Sequence, residues 1–366
     1  MPRDLDAGGR LQSLSEAIAR HGAARDADGG FPAEAFAELE AQGRLADPPV
    51  APGEMRALLA LLAAVGRGDL STGRIFEGHV NAVYLVAQFG SAAQKARLAE
   101  EGGLLGVWNT DAPEDPLRLV EGRLQGKKAF ASGVDGLTQA IVTVTGPAGR
   151  QMILAPTRDL AVDRSWWRPL GMRASGSHVA DLSGIAVAPD WLLGGPDDYI
   201  RQPWFSAGAI RFLAVQVGGM HAVLDTATAH LGRTGRAENP YQAHRLARMG
   251  VAVETGYLWL GRVAEAWSRA ADPRDEAAQR ALTAAADGAR LAVETAAMEL
   301  LAEAERAIGA AGLIAPHPFE RRMRDLRTYL RQPNPDGAAA AFGAAIARGD
   351  WSPSRDCGSE RRGCGS

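Results

Sequence analysis

GLLGVWNTDAPEDPLRLVEGRLQGKKAFASGVDGLTQAIVTV, residues 103–144, is the stretch that decides the fold, because helical periodicity gives way here to β-rich sequence with frequent glycine. A short apolar run ends at Trp108 and is followed by Asn109, Thr110 and then Pro113. This order predicts a strand that ends in a loop of polar side chains. Side chains at the end of a strand are well placed to contact a ligand.

A second predicted strand in this stretch carries an alternating pattern. Lys128, Phe130 and Ser132 alternate with alanine and glycine, so their side chains are expected on one face of the strand. An aromatic ring and a hydroxyl on the same face suit a flat heteroaromatic ligand. Farther along the chain, Gly146 and Gly149 have the chemistry of a hairpin turn between two apolar strands.

The periodicity of apolar residues divides the chain into three domains and a tail, with the fold class α+β. Residues 1–102 have helical spacing and predict an N-terminal helical domain. Residues 103–198 predict a compact middle domain of antiparallel β-structure, and residues 199–347 predict a C-terminal bundle of four or five helices. Residues 348–366 are rich in glycine, serine and arginine and are expected to be disordered.

Two local patterns support the predicted bundle. Apolar side chains from Leu246 to Trp267 recur at spacings of three, four and seven and line one helical face. Asp272, Pro273 and Asp275 predict the start of the next helix, with Asp272 as its N-cap and Asp275 in its first turn.

Bulk composition describes an ordinary globular protein and excludes several function classes. The 366 residues are 46% hydrophobic and 23% charged, and the formal net charge of −3 offers no basic surface for nucleic acid or an acidic membrane. The sequence shows no secretory signal and no membrane-spanning apolar run, so a cytoplasmic location is expected. Cys357 and Cys364 lack the further ligands of a metal site, so no metal is expected.

Short motifs in the order of the chain resemble the acyl-CoA dehydrogenase family of flavoproteins. Besides the stretch quoted first, they are DLSTGRIFEGHVNAVYLVAQFGSAAQKARL (69–98), LGMRASGSHVADLSGIAVAPDWLL (170–193), AERAIGAAGL (304–313) and RRMRDLRTYL (321–330). Each motif is degenerate, and the resemblance rests on their order over most of the chain. It implies the three domains given above, with FAD held between the β domain and the helix bundle.

The resemblance assigns flavin contacts to the β domain. Trp108, Asn109 and Thr110 match the strand that faces the pyrimidine edge of flavin. Phe130 matches the aromatic residue that lies against the isoalloxazine, and Ser132 matches the hydroxyl that bonds flavin N5, keeping the donor of the commoner threonine. The protein would orient the ring while flavin supplies the redox chemistry. The alternative is that Trp108 and Phe130 are core aromatics.

The resemblance also implies that a second subunit meets much of the dinucleotide, so a homodimer or homotetramer is expected. Arg233 matches a phosphate-pairing arginine, although the Phe-Gly pair that follows it in the family is missing. Gly309 and Gly312 match glycines whose backbone approaches phosphate or ribose. The alternative for both glycines is an ordinary helix C-terminus.

The glutamate that removes the α-proton of the thioester in the family's dehydrogenases has no match here. Its position falls at Gln332 or Pro333, and the family's other location holds Ile210. Asp336 is the candidate replacement, with a helix N-cap as the alternative role. Asp325 is the other nearby carboxylate, and its neighbouring arginines favour a salt bridge.

Substrate contacts are expected from two further places. Ser175 and His178 match a loop near the thioester entrance, and Arg211 follows the second base location, so Ser175 and Arg211 are the candidate substrate residues. A histidine titrates near neutral pH and suits an acid or base, with a surface residue before a strand as the alternative for His178.

Three hypotheses for function follow. The leading one is an FAD-dependent oxidoreductase that oxidises an acyl thioester, such as an acyl-CoA, or a similar small activated acid by hydride transfer to flavin N5. The first alternative is a flavin-dependent monooxygenase or oxidase on the same fold, which needs no α-proton base. The second is a non-catalytic protein that retains the fold.

Overall fold

The structure, a computed structural model, describes residues 4–51, 53–272, 274–331 and 334–353. The predictions for Pro273, Gln332, Pro333, Cys357 and Cys364 lie outside these residues. The helices that precede the first strand are α1 (Asp4–Asp28), α2 (Ala33–Ala41), α3 (Met55–Gly68), α4 (Leu70–Phe89) and α5 (Ala92–Glu101).

The strands follow in the middle of the chain. They are β1 (Leu105–Trp108), β2 (Arg118–Val120), β3 (Arg123–Gln125), β4 (Lys127–Ala131), β5 (Gln139–Gly146), β6 (Gly149–Pro156), β7 (Ala161–Asp163), β8 (His178–Asp181) and β9 (Leu192–Leu193). One sheet has the order β1-β5-β6-β9, another has the order β4-β8-β7, and β2 pairs with β3. The predicted hairpin is confirmed, since β5 and β6 pair antiparallel with Gly146 opposite Gly149.

One strand pair departs from the predicted antiparallel arrangement. β1 and β5 are parallel, with Leu105 opposite Gln139 and Trp108 opposite Val142. Parallel neighbours need a long connection, and residues 109–138, which contain β2, β3 and β4, provide it. The other pairs of the strands named above are antiparallel.

β4 does not keep the simple alternation that its sequence predicts. Its register against β8 shifts between Lys128 and Ala131, and Phe130 within this irregularity has a φ of +53°. Lys128 and Ser132 are buried, whereas Phe130 is 41% exposed. The prediction that all three side chains share one face is therefore wrong for Phe130, because a β-bulge turns its ring outward.

The C-terminal part is helical. Its helices are α6 (Trp204–Gly208), α7 (Ile210–Arg233), α8 (Pro240–Arg269), α9 (Glu276–Ile308), α10 (Pro318–Tyr329) and α11 (Pro335–Arg348). The predicted apolar face of α8 is confirmed, since Val263 and Trp267 are buried. The predicted N-cap of α9 is wrong: the side chain of Asp275, not of Asp272, accepts the hydrogen bond from the N–H of Ala278.

Helix α7 is the core of the C-terminal part. At Gly218 it meets α3 so closely that a Cβ would lie 2.0 Å from the carbonyl oxygen of Ala63, so only glycine permits this contact. The segment Trp204–Arg233 is long and apolar enough to cross a membrane, but 72% of its most apolar stretch of 18 residues is buried inside the protein. Its hydrophobicity is therefore that of a core helix. This core places the N-terminus of α7 beside α4.

Candidate functional site

A cavity of about 490 Å³ lies among residues of α4, β1, β4, α6 and α7. Val107, Asn109, Thr110 and Phe130 contribute from the β-rich middle of the chain. The other walls come from helices of the N-terminal and C-terminal parts. The cavity therefore lies where all three parts of the chain meet.

A buried lysine holds the loop that follows β1. Nζ of Lys128 donates hydrogen bonds to the backbone oxygen of Asn109 at 3.0 Å and to Oδ1 of Asp111 at 2.6 Å. Oδ1 of Asn109 accepts a hydrogen bond from Oγ1 of Thr143 at 2.8 Å. Burial lowers the pKa of Lys128, and Asp111 opposes this effect. These bonds fix Asn109, while Thr110 stays exposed at the cavity.

Phe130 presents an aromatic ring to the cavity from a strained backbone. A left-handed φ costs a bulky residue about 1–3 kcal/mol, and such strain is concentrated at functional sites. The ring centroid lies 4.9 Å from that of Trp166 and 6.0 Å from that of Trp167, with both rings edge-on. Sequence reasoning missed these two tryptophans, although their doublet directly precedes the motif that begins at Leu170.

Three buried serines near Phe130 form a chain of hydroxyls. Oγ of Ser175 donates to the backbone oxygen of Met172, and Oγ of Ser177 lies 2.8 Å from Oγ of both Ser175 and Ser132. Oγ of Ser132 also has the backbone oxygen of Phe130 at 3.4 Å as an acceptor, and in each contact between two serines either hydroxyl can be the donor. The role of the Ser132 hydroxyl toward a flavin stays a prediction.

The helical wall contains a polar network. Nη1 of Arg74 donates to Oε2 of Glu77 at 2.7 Å, and Nδ2 of Asn81 donates to Oε1 of the same carboxylate. Nη1 of Arg211 donates to Oδ1 of Asn81 at 2.9 Å. Both oxygens of Glu77 are therefore engaged. Burial lowers the pKa of Arg211, which lies in the cavity wall.

Aromatic side chains complete the cavity. They are Tyr84, Phe89, Tyr199, Trp204, Phe205 and Phe212. The guanidinium carbon of Arg211 lies 4.3 Å from the ring centroid of Tyr84 and 5.3 Å from that of Trp267, so aromatic rings flank the cation. Burial raises the pKa of Tyr199 to about 12, so this phenol is neutral at physiological pH.

Three of the sequence-predicted residues lie away from the cavity surface. Trp108 is buried, and its Nε1 donates to the backbone oxygen of Ser132 at 3.2 Å, so its ring belongs to the core. Ser175 is fully buried within the serine chain. Asp336 is exposed in the first turn of α11, whose N-cap is Asn334 rather than Asp336.

The predicted phosphate contacts lie at the far ends of the long helices. Arg233 is exposed in the last turn of α7. Gly309 is the C-cap of α9 with φ +79° and ψ −168°, an extended left-handed conformation that is essentially restricted to glycine. Gly312 is buried in the short 3-10 helix Ala310–Leu313. Within one chain these residues do not line the cavity described above.

The remaining candidate acids and bases make structural contacts. Oδ1 of Asp325 accepts the N–H of Met172 at 2.6 Å, and its Oδ2 lies 3.5 Å from Nη1 of Arg321. Burial raises the pKa of Asp325 to about 7. Nε2 of His178 lies 3.7 Å from Oδ2 of Asp135, and burial lowers the pKa of His178. Among the described residues, no group of three His, Cys, Asp or Glu side chains is placed to hold a metal.

Comparison with known proteins agrees with this architecture. Residues 199–330 match the family described as acyl-CoA dehydrogenase, C-terminal domain. A dibenzothiophene monooxygenase from Mycolicibacterium goodii is 24% identical in an alignment of 359 positions that covers 83% of this chain and 85% of that protein.

Solved structures extend the likeness to nearly the whole chain. TdsC from Paenibacillus sp. A11-2, in a complex with FMN and indole, has a TM-score of 0.81 at 20% identity and covers 94% of this chain and 98% of its own. The 3-HSA hydroxylase from Rhodococcus sp. RHA1 has a TM-score of 0.80 at 18% identity and covers 96% and 98%. The predicted fold class is confirmed, and the predicted resemblance is borne out: the chain has the acyl-CoA dehydrogenase fold, and its residues 199–330 match the model of that family's C-terminal domain.

Proposed function

We propose that this protein is a flavin-dependent monooxygenase on the acyl-CoA dehydrogenase fold. The observation that carries the proposal is that the described cavity wall contains no carboxylate free to act as a base. Its acids are Glu77, whose two oxygens are engaged, and Asp198, which accepts the N–H of Gly195 at 2.8 Å and pairs with Arg201. Ile210 occupies the family's second base position. Oxidation of an acyl thioester requires such a base, whereas oxygen transfer does not.

The comparisons favour the same choice. Similar proteins include dibenzothiophene monooxygenases and a methanesulfinate monooxygenase from Pseudomonas fluorescens. Thioester oxidation with Asp336 as base, the leading hypothesis from sequence, has less support because the exposed Asp336 does not line the cavity. Fold alone does not fix function, so the proposal rests on the cavity wall together with these relatives.

The residues of the β wall fit a flavin. Phe130 exposes a ring that can pack against the isoalloxazine, and the loop at Asn109 and Thr110 offers polar groups for the pyrimidine edge. Flavin, when bound and reduced, would supply the electrons that activate oxygen. The aromatic side chains of the cavity would exclude water from the reacting groups.

FMN is the flavin we propose, because the similar TdsC structures hold FMN. FAD, the cofactor implied by the sequence resemblance, is the competing choice. The two are separated by titrating the flavin-free protein with each and following flavin fluorescence. Tighter binding of FMN supports the proposal, and binding that requires the adenylate half assigns FAD.

The function itself is tested by oxygen consumption. The protein is supplied with FMN, NADH and a flavin reductase, and oxygen uptake is followed with small aromatic and aliphatic acids and with their neutral analogues. Uptake coupled to a hydroxylated or oxygenated product supports a monooxygenase. Stoichiometric flavin binding without any coupled oxygen uptake would contradict it.

We also propose that the protein is a homo-oligomer that associates through the outer face of α8 and α9. This face has a groove of about 660 Å³ and exposes apolar side chains, among them Val251 at 68% and Leu258 at 64%. Exposed apolar patches of this kind commonly mark protein interfaces. Light scattering is expected to give a dimer or tetramer, and a double Val251→Glu, Leu258→Glu variant is expected to dissociate. A monomeric wild-type protein would contradict this assignment.

A further inference from the structure

We propose that the cavity binds a substrate with an anionic oxyacid group, such as a carboxylate, and that Arg211 is the receptor for this group. The inference rests on the proposed function only for the statement that the bound molecule is the substrate. The anion site itself follows from the charges and unfilled hydrogen bonds of the cavity wall.

Arg211 differs from the other arginines of the wall in having no acid partner. Arg74 pairs with Glu77, Arg290 lies 3.7 Å from Asp287, and Arg331 pairs with Glu294. No described carboxylate lies within 4 Å of Arg211, which is only 3% exposed. The charge of Glu77 also acts on Arg211, but Glu77 already pairs with Arg74, so these three side chains together carry a net positive charge that a ligand anion can balance.

The unfilled hydrogen bonds point to the same ligand. Nη1 of Arg211 is used by Asn81, but its Nε and Nη2 are buried and have no partner. Nε and Nη2 form one edge of the planar guanidinium, where two parallel N–H groups match the two oxygens of a carboxylate. Nε of Arg74 is also buried without a partner. The complementary ligand group therefore accepts several hydrogen bonds and carries a negative charge.

The rest of the wall limits the body of the ligand. The rings of Tyr84 and Trp267 flank the guanidinium, and Phe89, Phe205 and Phe212 add further apolar surface nearby. Such walls suit an aromatic or otherwise apolar body. The structure thus assigns an apolar acid, and not a neutral heterocycle, as the class of substrate.

The test compares acids with their neutral amides. Isothermal titration of the purified protein, with and without FMN, measures the affinities of benzoate, benzamide, 1-naphthoate and 1-naphthamide. At least one acid is expected to bind at least tenfold more tightly than its amide. Arg211→Met is expected to remove that preference, and Arg211→Lys is expected to keep part of it, because an ammonium retains the charge without the planar fork.

The matched control is Arg97→Met. Arg97 pairs with Asp190 at 2.6 Å, and neither residue lines the cavity, so its loss should leave the acid preference unchanged. Thermal unfolding of each variant reports folding. Arg211→Met is expected to be at least as stable as wild type, since it removes a buried unpaired charge. If Arg211→Met does not fold, the affinities of acids and amides are compared in the two single variants Arg211→Lys and Asn81→Ala.

The possible outcomes separate a substrate anion site from a flavin phosphate site and from no anion site. Equal affinity for acids and amides in the wild type, or a preference that survives in Arg211→Met, overturns the inference. A preference for FMN over riboflavin that disappears in Arg211→Met would assign Arg211 to the flavin phosphate and overturn the substrate assignment. An Arg211-dependent acid preference in a protein that binds no flavin would sustain the anion site and sink the monooxygenase proposal instead.

Discussion

His79 gives the sharpest test of how the candidate site is held. This residue of α4 is 1% exposed, and its Nδ1 accepts the backbone N–H of Leu105, the first residue of β1, at 3.1 Å. The ring proton is therefore on Nε2, which donates to the backbone oxygen of Leu45 at 2.9 Å. A second proton would sit on Nδ1 and face the N–H of Leu105. Burial accordingly lowers the pKa of His79 to about 4.

The pKa of His79 sets the direction and size of its contribution to the pH dependence of stability. Between about pH 4 and 6.5 the unfolded chain binds a proton at His79 that the folded chain does not, so this residue stabilises the fold above pH 6.5 and the contribution is lost as the pH falls through 4. The gap between the two pKa values corresponds to roughly 3 kcal/mol. His79→Gln keeps a donor and an acceptor but cannot titrate. As the pH falls from about 6.5 to 4, the free energy of unfolding of His79→Gln should therefore decrease by about 3 kcal/mol less than that of the wild type.

The assay is urea unfolding of wild type and His79→Gln at four pH values from 7.5 to about 4.5, followed by tryptophan fluorescence. The control is His21→Gln, a residue of α1 outside the α8–α9 groove, which should change the pH profile less than His79→Gln does. The expected result is a stability difference between wild type and His79→Gln that shrinks as the pH falls. A difference that is constant with pH would refute the assignment of a neutral, buried His79.

Three further predictions address other parts of the structure. Burial raises the pKa of Asp325 to about 7, so its stabilising effect is complete below about pH 4 and is lost as the pH rises through 7. In urea unfolding, the free energy of unfolding of Asp325→Asn should therefore depend less on pH between about 4 and 7 than that of the wild type. Gly218→Val should lower the free energy of unfolding by roughly 3 kcal/mol or more, because its Cβ would overlap the oxygen of Ala63, whereas Gly250→Ala in open space should be neutral or mildly stabilising. Phe130→Gly should weaken FMN binding at least tenfold by fluorescence titration while changing stability little, because glycine relieves the left-handed backbone; unchanged FMN affinity would remove Phe130 from the flavin site.

Local sequence signals predicted the elements that depend on local chemistry. The hairpin at Gly146 and Gly149 and the buried face of α8 both follow from neighbouring residues, and the structure confirms them. The N-cap of α9 shows the limit of such signals, because Asp272 and Asp275 are both good caps and the choice depends on where the chain turns. The parallel pairing of β1 with β5 depends on the path of a long crossover, which no local pattern specifies.

The candidate site was only partly accessible from sequence for the same reason. Family resemblance pointed to Phe130 and Arg211, but the bulge that exposes the ring and the empty edge of the guanidinium arise only when distant segments pack together. The serine chain likewise depends on the contact between Ser132 and Ser177, which lie far apart in the sequence. The missing base, by contrast, was visible as Ile210 in the sequence.

The central claim is that this cavity supports oxygen chemistry and not removal of an α-proton. The most direct test is an anaerobic titration of the FMN-loaded protein with acyl-CoAs of short, medium and long chains while flavin absorbance is followed. The account predicts that the flavin stays oxidised with every thioester and that the same sample, once reduced by a flavin reductase, is reoxidised when oxygen is admitted. Bleaching of the flavin by an acyl-CoA would contradict it and would establish a dehydrogenase.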